Sequence, residues 1–226
     1  MKKPRRSAEG IYIVPLALPL SLESKRGQLE QTLVNAQSRI VKFAKRYGWR
    51  DLAMDSFFDR AEIFDTKEDF DKAIANLTRM PASTVFPKTY SAALEQGLLM
   101  AVSPELYAEN YPEGIERDSY EKLLAHEIAH RLHIRILAGD EEAMGPIWFF
   151  EGFALYAAEQ FKKSTLKPTT AEIQEILYSS ERRSYRNYAD VFRFFAERIA
   201  IAEMIQHAAK IGFQEWLLNL APHALG

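Results

Sequence analysis

Residues 126–130 read His126-Glu127-Ile128-Ala129-His130, inside a run over 118–137 that carries the pattern of one long helix. Imidazoles four residues apart lie about 40° apart around a helix, so both can aim at one point. That spacing suits a metal ion, and neutral imidazole nitrogen suits zinc. Glu127 sits beside the first histidine, able to reach the outer coordination sphere without filling it. There it is a candidate general base toward an attacking water. Tyr120, Leu123 and Leu124 give the same helix an apolar flank to anchor in a core.

Catalytic zinc with an open position needs a third protein ligand on a neighbouring element. Downstream, Gly145-Pro146-Ile147-Trp148-Phe149-Phe150-Glu151-Gly152-Phe153-Ala154-Leu155-Tyr156 offers one. Pro146 is placed to start a helix. Glu151 is the only charged residue among apolar and aromatic neighbours, and a buried carboxylate needs a partner. A glutamate on a solvated face fits that setting poorly, so Glu151 is the expected third ligand. Gly152 is expected to let this second helix approach the first closely.

Working outward, 24–47 reads as an amphipathic helix, with Leu29, Leu33, Ile40, Phe43 and Ala44 at helical spacing. A strand is expected over 58–65 and a short helix over 66–77, capped by Thr66 or Asp65. Two β-like stretches, 83–90 and 97–103, suggest a hairpin or neighbouring strands. From about Ser119 onward the pattern is helical, broken at 139–146 and around Lys167-Pro168. The expected fold class is α+β: a small mixed β-sheet lobe and a helical carboxy-terminal lobe, with the active-site helix between them. The division runs 1–10 as a flexible basic tail, 11–138 as the α+β lobe including that helix, and 139–226 as the helical lobe carrying the third ligand.

Composition narrows the chemistry. The 226 residues hold no Cys, which excludes disulfides, thiolate nucleophiles and Cys-ligated metals, so any metal site is built from His and carboxylate. With 29 Lys+Arg against 31 Asp+Glu, the chain has no basic footprint for nucleic acid. No stretch reaches the roughly 18 apolar residues of a membrane span. Lys2, Lys3, Arg5 and Arg6 precede an apolar run over 11–20, which a signal peptide would also show. Pro15 and Pro19 interrupt that run, and no clear small-x-small cleavage site follows. A tail leading into a first strand at 11–14 is preferred, and with it a soluble, cytoplasmic protein over a secreted one.

Taken together, His126-Glu127-x-x-His130 and Trp148-x-x-Glu151-Gly152-x-Ala154-x-Tyr156 resemble the gluzincin zinc metallopeptidases, particularly their aminopeptidase-like branch. The resemblance spans about residues 95–200. It implies a zincin-like fold, a Zn²⁺ cofactor bound by His126, His130 and Glu151, and Glu127 as general base and then proton donor. Twenty residues separate His130 from Glu151, somewhat more than is typical of that branch, and the loop 138–145 can absorb the excess. The metzincin pattern needs Gly at 133 and His at 136, where this chain has His133 and Ile136. A di-iron bundle needs a second Glu-x-x-His, and Glu203 to His207 has the wrong spacing.

The resemblance also implies a tyrosine donor for the oxyanion, which falls on Tyr188, with Tyr185 one turn away as the alternative; both also read as packing aromatics. It further implies an extended peptide or protein substrate paired to a strand edge, for which 97–103 is the candidate. The branch's Gly-Ala-Met-Glu-Asn motif is replaced here by Gly97-Leu98-Leu99-Met100-Ala101, so the grip on a free amino terminus is missing unless Glu95 supplies it. An endopeptidase is therefore favoured over an aminopeptidase. Two other readings stay open: a zinc-binding but non-catalytic module, and a zinc hydrolase of a non-peptide amide or ester. His133 reads as packed rather than ligating, and His207 and His223 as structural.

Overall fold

The computed structural model describes residues 5–6, 10–81, 83–164, 167–179 and 181–220. Most of the expected tail, and His223, lie outside them. Within the tail, Arg5–Arg6 (β1) pairs antiparallel with Tyr12–Ile13 (β2). The expected strand over 11–14 is thus spent on a two-residue ladder, and the main sheet begins after Pro15 at Leu16–Ala17 (β3).

A 3-10 turn, Leu20–Lys25, leads into Arg26–Arg46 (α1), whose apolar stripe is buried as its spacing predicts. Arg60–Phe64 (β4) is followed by Lys67–Thr78 (α2). The Thr66 side chain caps α2 by accepting from the Asp69 N–H at 3.2 Å, with Glu68 and Asp69 favourably placed in the first turn. Ala92–Glu95 (β5) and Leu98–Val102 (β6) form a hairpin about Gln96-Gly97, at φ of 49° and 76°. Paired left-handed residues are what a two-residue hairpin turn demands.

The strand expected over 83–90 is not there. Pro87 lies within that stretch and lacks a ladder donor, and pairing starts only at Ala92. The sheet is small and mixed, in the order β3-β4-β6-β5, with β3, β4 and β6 parallel and β5 antiparallel to β6. This corrects a second expectation: β6, the strand of 97–103, is interior, and β5 forms the edge.

The helices that follow are Pro104–Asn110 (α3), Ser119–Ile136 (α4), Ile147–Ala157 (α5), Thr170–Tyr178 (α6), Tyr185–Ala196 (α7), Ile201–His207 (α8) and Phe213–Leu220 (α9). Together with the sheet they make an α+β fold. Among the described residues no helix is long and apolar enough to cross a membrane.

Side-chain ties fix α4 at both ends. Near its start, the Tyr120 hydroxyl donates to the Val102 carbonyl of β6 at 2.7 Å, and Arg39 of α1 bridges Glu121 and Glu159 at 2.5 and 2.7 Å. At its end, Arg135 donates to the carbonyls of Leu52 and Asp55 at 2.8 and 3.1 Å. Leu124, Ala125, Ile128, Ala129 and Leu132 bury the middle in an apolar cluster that runs from Leu16 to Leu217. Residues on both sides of position 138 therefore share one core.

Gly152 serves a different neighbour from the one expected. A Cβ there would stand 2.7 Å from the Cβ of Phe192, so the glycine brings α5 against α7 rather than against α4. Gly152→Ala gains about 1 kcal/mol of helix propensity but overpacks a site where such clashes cost about 1–3 kcal/mol. A net loss of roughly 1 kcal/mol is expected in urea unfolding, and a gain would mean the interface gives way freely.

Candidate metal centre

Helix α4 delivers His126 and His130 from one face, and α5, starting just after Pro146, delivers Glu151 against them. His126 Nε2 lies 3.0 Å from His130 Nε2 and 3.1 Å from Glu151 Oε2, and His130 Nε2 is 3.7 Å from the same oxygen. A tetrahedral centre with bonds of about 2.0–2.1 Å spaces its ligands about 3.3 Å apart. The three sides of this triangle bracket that value. Two imidazole nitrogens and a carboxylate oxygen thus present lone pairs to one point, and the group could hold a metal ion. His126 and Glu151 are buried, while His130 opens toward the adjoining cavity.

The electrostatics suit that use. Burial drives His126 toward its neutral form, outweighing the Glu151 carboxylate as hydrogen-bond acceptor. At His130 burial acts the same way, but hydrogen bonding and charge from Glu151 more than offset it, and the pKa lies above the ordinary imidazole value. Burial alone would raise Glu151, yet the two imidazoles hold its carboxyl well below the usual range. Burial pushes Glu127 up to about 8; His130 pulls against this, and Glu151 and Glu95 add to it. A nearby dication would draw that value back down.

A cavity of about 100 Å³ adjoins the triad, with Glu127, Tyr90, Tyr185 and Arg182 among its walls. Tyr90 follows a turn just before β5, so the sheet's edge strand borders the cavity. Of the two candidate tyrosines, only Tyr185 is there. Its ring packs 5.8 Å from that of His126, nearly perpendicular. Tyr188 is buried behind it, and its hydroxyl accepts from the Arg183 N–H at 2.6 Å.

Arg182 carries no signal in the sequence, being one more Arg in a polar stretch, 181–187. Its guanidinium donates to Glu151 Oε1 and to the Tyr185 hydroxyl, the latter at 2.7 Å. The Glu151 oxygen turned away from the histidines is therefore occupied.

His133 is packed, as expected: fully buried, its ring 4.5 Å from that of Phe153 and 5.9 Å from that of Phe149. Burial pushes its pKa down to about 3. Unfolding restores an ordinary imidazole, so between about pH 3 and 6.5 the unfolded chain binds the extra proton and stability falls as pH drops. From pH 7 to pH 5 this one group should remove about 2 kcal/mol. His133→Leu is expected to flatten the urea-derived stability profile by about that amount; equal slopes in both proteins would refute it. His207 also has a packing role, stacked 4.2 Å from Trp216.

No family model matches the chain, and no curated protein or solved structure is detectably similar to it.

Proposed function

We propose that this chain is a zinc-dependent metallopeptidase of gluzincin type, with a zincin-like fold, that hydrolyses internal peptide bonds. The observation that carries the reading is the convergence of His126 Nε2, His130 Nε2 and Glu151 Oε2 beside a cavity that Glu127 also lines. The donor set of two nitrogens and one oxygen favours zinc over hard cations, which take oxygen ligands. When bound, zinc supplies a Lewis acid for the scissile carbonyl and eases deprotonation of water.

The chain's own residues do the rest. Glu127 takes the proton of the attacking water and passes it to the leaving amine. Tyr185, in place of Tyr188, donates to the oxyanion of the tetrahedral intermediate. Its hydroxyl already accepts from Arg182, which leaves its own proton for the substrate oxygen. Arg182 holds Glu151 by the second carboxylate oxygen, so Oε2 stays aimed at the histidines. An extended peptide adds to the sheet along β5, whose position at the edge beside the cavity supports strand addition.

A proteome-derived peptide library, digested by zinc-loaded protein, tests this. Cleavage at defined internal positions is expected. Tyr185→Phe should lower kcat by roughly 10²–10³ with zinc retained, the loss typical of removing one oxyanion donor, and Tyr188→Phe far less. No cleavage at high enzyme concentration would overturn the peptidase reading in favour of a non-catalytic zinc module or a non-peptide hydrolase.

A further inference from the structure

We propose that Gln160 is a positioning residue for the metal centre: its side-chain carbonyl accepts the Nδ1–H of His126 and so fixes the tautomer that turns Nε2 toward His130 and Glu151. The inference rests on the metal reading above and deepens it.

The argument starts from two buried polar atoms. His126 is 6 % exposed and Gln160 7 % exposed. Among the described residues, His126 Nδ1 and Gln160 Oε1 are both buried side-chain atoms without a hydrogen-bond partner. Buried polar atoms are seldom left so, and this cavity wall holds three, the Tyr107 hydroxyl being the third; of these, the nitrogen of His126 and the pure acceptor of Gln160 are complementary. Because Nε2 faces the other two donors at 3.0 and 3.1 Å, the proton of a neutral, ligating His126 must sit on Nδ1. That N–H needs an oxygen. Gln160, in the same cavity wall, offers one: its Oε1 is buried and stands short of hydrogen-bond geometry with any donor.

The backbone supports a placed side chain. Gln160 follows the end of α5 between two non-glycine residues in the left-handed region, Glu159 at φ 58° and Phe161 at φ 52°. Such conformations persist where surroundings over-determine them, and they cluster at functional sites. Here the Gln160 N–H donates to the Leu155 carbonyl at 2.9 Å, and the Phe161 N–H to Glu116 Oε1 at 3.0 Å. The chain is pinned on both sides of the residue, which turns Gln160 back toward α4. Metal-ligating histidines generally donate their second N–H to such an acceptor, and losing it costs about 10–100-fold in metal affinity.

The test uses the full chain and zinc titrated against a chromophoric chelator, with ¹⁵N-histidine spectra reporting the His126 tautomer. Gln160→Met keeps the length and removes the acceptor; zinc affinity should fall about 10–100-fold and the Nδ1–H signal should weaken. Gln160→Glu restores an acceptor and should bind within a few-fold of wild type or tighter. Equal loss in both variants, with unchanged circular dichroism, would reduce Gln160 to packing and overturn the proposal. Unchanged affinity in Gln160→Met would overturn it too. A wild-type chain that binds no zinc would instead show that the metal reading itself fails, and this one with it.

Discussion

Glu127→Gln is expected to lower peptide hydrolysis by about 10²–10⁴-fold or more while leaving zinc content unchanged, since general-base catalysis contributes about that much. The separation of the two effects follows from where Glu127 stands. It shares α4 with both histidines, but it is not one of the three converging donors, so the triad of His126, His130 and Glu151 survives its replacement. It lines the cavity beside that triad, where the proposed reaction would bring substrate and water together. The amide has the same shape and cannot take a proton. Burial also makes the native carboxylate a stronger base than an exposed one, a property glutamine lacks entirely. Single-turnover hydrolysis and metal analysis on the same preparation check both halves. Wild-type activity in Glu127→Gln would remove Glu127 from the mechanism, and loss of zinc would make it a ligand.

How much of this was legible in the sequence follows from how local each signal is. His126 and His130 lie on one helix, and helical geometry alone places both side chains on one face. Glu151 was legible for an energetic reason: a lone carboxylate within Trp148–Leu155 needs a partner, and two imidazoles and a guanidinium provide it. The β5–β6 hairpin was half legible. Its turn at Gln96-Gly97 marks the centre, but where the first arm begins depends on which backbone donors find partners, and only Ala92–Glu95 face β6.

The tyrosines show where local reading stops. Tyr185 and Tyr188 are three residues apart on α7, so both belong to one broad face. A modest rotation of that helix decides which hydroxyl enters the cavity. The rotation is set by contact with α5, where Gly152 admits Phe192 at close range. Arg182 and Gln160 were silent for another reason. Neither breaks a local pattern, and each acquires meaning only from the distant residue it meets.

Removing zinc from the proposed centre is the second large expected effect. Zinc at about 100 times its dissociation constant stabilises a folded chain that alone binds it by about 2.7 kcal/mol. For a chain of this size each kcal/mol moves Tm by about 2–4 °C, so a chelator should lower Tm by about 5–11 °C. The metal-free centre need not collapse, because it has a substitute charge. His130 is held above the ordinary imidazole pKa by Glu151, so a proton can occupy the place between the donors. Zinc and protons would therefore compete for the same atoms, and the zinc-dependent rise in Tm should already shrink as pH falls toward the ordinary imidazole value of about 6.5. Glu151→Ala separates the roles. It leaves the two histidines facing the Arg182 guanidinium with no anion between them, an arrangement that repels a dication. The variant is expected to show no zinc-dependent change in Tm at any pH at which the wild-type chain responds. A full zinc response in Glu151→Ala would show that the metal sits elsewhere, and the triad would then be an ion-pair cluster only.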